Sequence, residues 1–221
     1  MKNLKMFAVA ALTALAVSAS AQVTYGNDYG YAPTKSNIYG ADNEGFGLFY
    51  LQYNPSQSHL SYEGHSVNSS FNAISLGYSY YIPLGDIPLY LAPGAAVQWA
   101  FKSSTEGSAE YKMNNIAVKI PVNLMYSFAV SDAFRIEPYV GAYARVNIWG
   151  EQKETYGGQT EKENPYSGDH ALKRFLAGWN AGINFRITDA FTIGGGYYMD
   201  LIKISDHLNY QGFDITVGVN F

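Results

Sequence analysis

The chain has 221 residues, 16% aromatic against only 14% charged, no cysteine and a formal net charge of −4. An acidic balance excludes a nucleic-acid binder on charge grounds, and the missing thiols exclude disulfide staples and cysteine chemistry. After the first 21 residues no apolar stretch approaches the roughly 20 residues a membrane helix needs, while 20 Tyr, 12 Phe and 22 Gly suit β-strands with aromatic ends.

The N-terminus, MKNLKMFAVAALTALAVSASAQ, places Lys2 and Lys5 before an apolar run from Met6 to Val17, then Ala19-Ser20-Ala21 before Gln22. A short basic region, an apolar stretch too short to span a bilayer and an A-x-A site predict a secretory signal peptide over 1–21, cleaved between Ala21 and Gln22. Loss of Lys2 and Lys5 leaves 12 of the 14 basic residues against 18 acidic ones, a net charge of −6. Residues 22–44, rich in Gly, Asn, Asp and Tyr, show no sustained period and read as an irregular periplasmic N-terminal segment.

From Gly45 to Phe221 the pattern is alternation, the mark of strands with one apolar and one polar face. In FRIEPYVGAYARVNI one face carries Phe134, Ile136, Pro138, Val140, Ala142, Ala144, Val146 and Ile148, and the other carries Arg135, Glu137, Tyr139, Gly141, Tyr143, Arg145 and Asn147. KRFLAGWNAGINFRI and IAVKIPVNLMYSF repeat the division, with Arg174, Asn180 and Arg186 in the first and Lys119 and Asn123 in the second on the polar side. The last strand, GFDITVGVNF, sets Phe213, Ile215, Val217, Val219 and Phe221 against Asp214 and Thr216. Its partner across a closure would be the first strand, near Phe46 to Tyr53, which is apolar at both parities. Pro93, Pro121 and Pro138 fall inside strands, where each removes a ladder donor, and predict β-bulges.

Three connections are tight turns built on Gly-Asp, Ser-Asp or Thr-Asp: IPLGDIPLYL, FAVSDAFRIE and FRITDAFTIG. The others read as long polar loops: NPSQSHLSYEGHSVNSS, KSSTEGSAEY, the segment Gly150 to Ala171, and KISDHLNYQ. Short turns alternate with long loops, and about eight runs give an all-β, eight-stranded antiparallel up-and-down meander. A secreted chain of this kind predicts a transmembrane β-barrel of a Gram-negative outer membrane over 45–221, because lipid offers backbone groups no water and a spanning sheet must close on itself. The apolar faces would then point to lipid, with Tyr126, Phe128, Phe134, Phe185 and Phe191 in one aromatic girdle and Trp99, Phe101 and Phe175 in the other.

These residues carry a family resemblance. The stretch EPYVGAYARV resembles the PYVGAG strand of the small outer-membrane β-barrel proteins of the outer membrane protein A and outer membrane protein X type, though Arg145 departs from the Gly-rich pattern. The closing alternation on Phe221 resembles the C-terminal signal read by the outer-membrane assembly machinery, which implies that machinery and outer-membrane lipids as partners. The absence of a peptidoglycan-binding domain after Phe221 favours a barrel-only member.

An eight-stranded barrel is filled by its own side chains, so the inward charges must pair. Arg135, Glu137, Arg145, Arg174, Arg186, Asp200 and Asp214 form the expected interior polar network, with Glu137 near Arg186 at the short-turn end and Arg145, Arg174, Asp200 and Asp214 nearer the long loops. His59, His65, His170 and His207 all fall in long loops and match no ligand motif, so no metal or cofactor is expected. The expected role is structural or adhesive, with an extracellular ligand bound through loop 150–171. A lipid-modifying enzyme using His65-Ser66 beside Glu63, or a small pore, is the alternative.

Overall fold

The computed structural model describes residues 44–62, 65–107, 109–168, 171–202, 204 and 208–221. The signal peptide and its Ala21–Gln22 site, and the N-terminal segment apart from Glu44, lie outside the described residues, as do Glu63, His170 and His207 and the side chains of His59, His65 and Ser66.

Ten strands are present: β1 (Phe46–Tyr62), β2 (His65–Pro83), β3 (Leu89–Glu106), β4 (Ala109–Tyr126), β5 (Phe128–Ser131), β6 (Phe134–Tyr156), β7 (Gln159–Glu163), β8 (Phe175–Ile187), β9 (Phe191–Asp200) and β10 (Leu208–Asn220). Eight of them close an antiparallel ring in the order β1-β2-β3-β4-β6-β8-β9-β10, and β1 pairs with β10 from Leu48↔Asn220 to Tyr53↔Ile215. The two extra strands are extensions of this ring. β5 continues β4 past a break at Ser127, and β7 folds back on the upper end of β6.

Alternation decides which way each strand faces. Phe213, Ile215 and Val217 are exposed on the outside of the ring, whereas Asp214 and Thr216 are buried inside it. The first strand follows the same parity: Phe49, Leu51 and Tyr53 face out, and Leu48, Asn54 and Ser56 are buried. Outward aromatics pair near each rim, as Tyr126 with Phe128 (4.5 Å between ring centroids) and Phe134 with Phe185 (6.0 Å) at the short turns, and Trp99 with Phe101 (5.0 Å) at the opposite end.

Two expectations need correction. The prolines carry no bulges, because the register is constant across each one. The β3–β4 ladder instead lapses between Pro93↔Val122 and Ala96↔Lys119, opposite Pro121, and the β4–β6 ladder stops at Met125↔Tyr139 and resumes at Phe128↔Ile136, spanning Pro138. A missing N–H removes a rung without requiring an inserted residue. Register shifts lie elsewhere among the described residues: one in the β5–β6 ladder between Ala129 and Ser131, and one between Ile116 and Ala117, where Trp149 and Asn147 are the successive partners and Ile148 is the extra residue. Ile148 and Trp149 are consequently both exposed.

Much of the supposed loop sequence is also strand. β1 and β2 stay paired to Tyr62↔His65, and β3 and β4 to Glu106↔Ala109. Serine and threonine are compatible with a pleated backbone wherever a neighbouring strand supplies the ladder.

At the short-turn end, Thr188 and Asp189 form a tight turn with φ of 53° and 55°, closed by Ala190 N–H donating to Ile187 O at 3.2 Å. Positive φ at both central positions matches the twist of the flanking strands, but it is costly at a β-branched residue. Replacing Thr188 by Asn is expected to stabilise the barrel by about 1 kcal/mol, read as a higher urea midpoint for the protein refolded in lipid.

Candidate functional site

Side chains that point into the ring meet in layers. At the short-turn end the Phe46 ring stacks on Tyr81 (4.4 Å) with Tyr90 edge-on (5.7 Å), and the Arg186 guanidinium lies 4.2 Å over Phe46. Arg186 Nη2 pairs with Glu137 Oε1 at 2.7 Å, and Ser127 Oγ donates to the same oxygen at 3.0 Å. Both ions are buried, so only this geometry offsets their desolvation. The break between β4 and β5 places Ser127 inside the ring to complete it.

The middle layer is a small chamber lined by Tyr50, Lys119, Tyr139, Asn180, Asp214 and Thr216 among others, with about 50 Å³ available to water centres. That volume holds a few waters. Tyr139 Oη donates to Asp214 Oδ1 at 3.4 Å, and Asn180 Nδ2 to Asn123 Oδ1 at 2.9 Å. Gly182 and Gly196 make room for the Tyr139 hydroxyl, since a Cβ at either position would come within 2.5 Å and 2.4 Å of its oxygen. Lys119 closes the chamber above, its Nζ 4.3 Å from the Tyr143 ring centroid and 5.0 Å from that of Tyr198.

The upper layer joins Arg145 Nη2 to Asp200 Oδ2 in a close, buried ion pair. Tyr143 Oη donates to Asp200 Oδ1 at 2.6 Å, and Arg145 Nη1 to Gln98 Oε1 at 3.4 Å. Ser56 Oγ bonds to Tyr198 Oη, and Ser75 Oγ donates to Asn54 Oδ1 at 2.9 Å.

Above this layer the segment after β7 turns back over the mouth. Tyr166 Oη donates to Asn115 Oδ1 at 2.7 Å, its ring fills the space beside Gly150, and Arg174 lies over its face at 4.9 Å. The described part of Gly150–Ala171 is therefore a hairpin, β6 turning at Gly157-Gly158 into β7, followed by a cap. Outside the membrane band, burial raises the Tyr111 hydroxyl above its ordinary value, with Glu154 and Glu163 adding to the shift.

Of the seven interior residues read from the sequence, four stand in two ion pairs, Glu137 with Arg186 and Arg145 with Asp200. Asp214 is held by Tyr139. Arg135 lies at the rim, its Nε 3.2 Å from Asp189 Oδ1, and Arg174 donates to the carbonyls of Asn147 and Ile148 at 3.1 Å and 3.2 Å. Arg135 thus reaches the short-turn layer through Asp189, whose Oδ1 also lies 3.9 Å from Arg186 Nε, whereas Arg174 stands apart from the central network. Lys119 is a member that the sequence reading left out, although its position among alternating apolar residues in IAVKIPV carried the signal. Among the described residues no group of three His, Asp or Glu side chains is placed to hold a metal.

A closed ring whose outside is apolar and whose inside is ionic is the inverse of a soluble domain. The chain belongs to the outer membrane protein beta-barrel domain family. The family's model matches residues 7–221, and the protein is placed in the outer membrane of a Gram-negative cell. No curated protein sequence matches the chain. Among solved structures it is similar to Ail, the attachment invasion locus protein of Yersinia pestis, in complex with the heparin analogue sucrose octasulfate (15% identity, TM-score 0.48, covering 80% of this chain and 99% of that one). It is also similar to Neisserial surface protein A (18%, 0.40, 78% and 95%) and to the N-terminal β-barrel domain of Pseudomonas aeruginosa OprF (12%, 0.32, 79% and 99%).

Truncating one partner of a buried pair leaves an uncompensated ion. Arg145→Met is expected to cost about 3–5 kcal/mol, measured by urea unfolding in lipid, and the double variant with Asp200→Leu to recover most of that loss.

Proposed function

We propose that this barrel acts at the cell surface by binding an external partner with its extracellular strands and loops, and that the transmembrane part is a rigid support. The observation that carries this reading is the contrast between the two ends. The lumen is filled by two ion-paired layers, a chamber of a few waters and the Tyr166 cap, whereas the wall continues past the outer aromatic row as hairpins. β7 is exposed along its whole length. Rigid scaffolds bearing exposed polar hairpins are where recognition usually resides.

Replacing Gln152–Glu163 by a two-residue turn is the direct test. Cells displaying the shortened protein are expected to lose attachment to an external surface or matrix that the parent binds, at equal surface level and unchanged heat-modifiable migration. Retained attachment would remove the β6–β7 hairpin from the binding surface.

Delivery and insertion complete the reading. The signal peptide directs export, its cleavage after Ala21 releases the translocated chain into the periplasm, and the assembly machinery reads its C-terminal strand. Phe221 supports this role by its position: its ring packs outside the ring of strands against Phe49 (5.3 Å) and Tyr78 (6.0 Å), and its N–H and carbonyl both pair with Gly47. Appending residues after Phe221 is expected to lower the fraction of protein inserted in the outer membrane, measured by heat-modifiable migration of membrane fractions.

A further inference from the structure

Above the membrane the barrel wall splits. The β2–β3 ladder ends at Asn72↔Phe101, beside the outward aromatics Trp99 and Phe101. β2 nevertheless continues paired to β1 as far as Tyr62↔His65, and β3 to β4 as far as Glu106↔Ala109. His65–Phe71 and Lys102–Glu106 are therefore strands with a ladder on one flank only. Their other flanks face each other across a cleft. In a strand every second residue directs its N–H and C=O to the same side, so both walls present unpaired backbone groups at strand spacing.

Another open edge in this region is guarded. β7, Gln-Thr-Glu-Lys-Glu, puts charged side chains along its length, a common protection against unwanted pairing. The cleft walls differ: between Lys102 at the base and Glu106 at the tip, Ser69 and Ser70 on one side and Ser103, Ser104 and Thr105 on the other are small and uncharged. A single cation stands at the base. Lys102 reaches across the cleft to Ser69 Oγ and lies 5.8 Å from the Tyr111 ring. No carboxylate is paired with it among the described contacts. A strand without an acidic side chain would have to displace Lys102 from Ser69 and leave it unmatched, whereas an acid-bearing strand would neutralise it.

We propose that this cleft takes up an extended, acid-bearing peptide segment of an extracellular partner, which adds its backbone to the β2 and β3 edges and sets a carboxylate on Lys102. This is strand addition to an exposed sheet edge, with main-chain bonds giving affinity and one side chain giving selectivity. The proposal rests on the surface-interaction reading above and names the partner's chemistry.

The chain has no cysteine of its own, so the cleft can be closed and opened chemically in a single variant. Extrapolating the β2–β3 register sets Ser70 opposite Ser103, one step above Asn72↔Phe101 on the outward face. The Ser70→Cys, Ser103→Cys double variant, refolded in lipid nanodiscs, forms a disulfide on oxidation that zips the two edges together. The probe is a blocked, fluorescent seven-residue peptide of alternating Thr and Val with a central Asp. It is expected to bind the parent and the reduced variant, and to bind the oxidised variant at least about tenfold more weakly. The same peptide N-methylated on alternate amides, and one with Lys in place of Asp, are expected to show a similar loss. Lys102→Gln is expected to abolish the preference for Asp over Asn in the probe.

Binding that is indifferent to oxidation and to N-methylation, or no binding to the reduced variant, overturns the cleft. If the β6–β7 replacement still abolishes surface attachment while the oxidised variant attaches like the parent, the cleft fails and the surface-interaction reading stands. Attachment that survives both changes removes both.

Discussion

Every backbone N–H and C=O inside a bilayer must find a partner within the protein, and here that requirement is met by one junction between distant parts of the chain. β1 and β10 are separated by almost the whole sequence, yet they exchange bonds from Leu48↔Asn220 upward, with Gly47 and Phe221 as the last reciprocal pair. Without that seam two edges would face lipid. Ladder gaps occur where prolines supply no donor, at Pro55 in the seam itself and at Pro93, Pro121 and Pro138, but none shifts the register. Strand edges separate over a long stretch only beyond the outer aromatics, where water can take the place of a neighbouring strand.

Closure also sets the rules for the interior. With the apolar faces committed to lipid, the inside receives the residues a soluble protein would expose, and these are too crowded to be solvated freely. The solution is neutralisation in layers: Glu137 with Arg186 below, Arg145 with Asp200 above, and tyrosine hydroxyls spent on the carboxylates. Aromatic faces take up the cations, with Phe46 beneath Arg186 and Tyr143 and Tyr198 beside Lys119. Each such contact adds little, but together they fix the stacking of layers contributed by strands far apart in sequence.

The architecture was legible because a period of two is a strong, redundant signal. Each long run repeated it, and the alternation of tight turns with polar stretches gave the meander. Facing could be read wherever one parity was polar, as in GFDITVGVNF. It could not in FGLFYLQY, where the β10 register decides that Phe49, Leu51 and Tyr53 face out. The upper strands were read as loops because Ser, Asn and Thr carry no periodic hydrophobicity, and their strand state depends on the neighbour that continues the ladder. Lys119 was visible on the polar parity, but its place above the chamber depends on Tyr143 and Tyr198, which three-dimensional register alone brings to it.

The extra residue at Ile148 reverses the facing of everything beyond it on β6. Below it odd-numbered residues such as Arg145 and Asn147 point inward; above it Gly150 does, with Gln152 and Glu154 following on the same side. Through the direct pairs Lys112↔Lys153↔Lys162 and Glu154↔Glu161, that phase puts three lysines on the outer face, two of them paired there with Glu110 and Glu151, and turns Glu154, Glu161 and Glu163 toward the mouth. Lineages could therefore lengthen or shorten the β6–β7 hairpin in steps of two residues per strand and keep its electrostatic polarity. A change of a single residue near Ile148 would turn the sheet over and present its acidic side to the membrane surface.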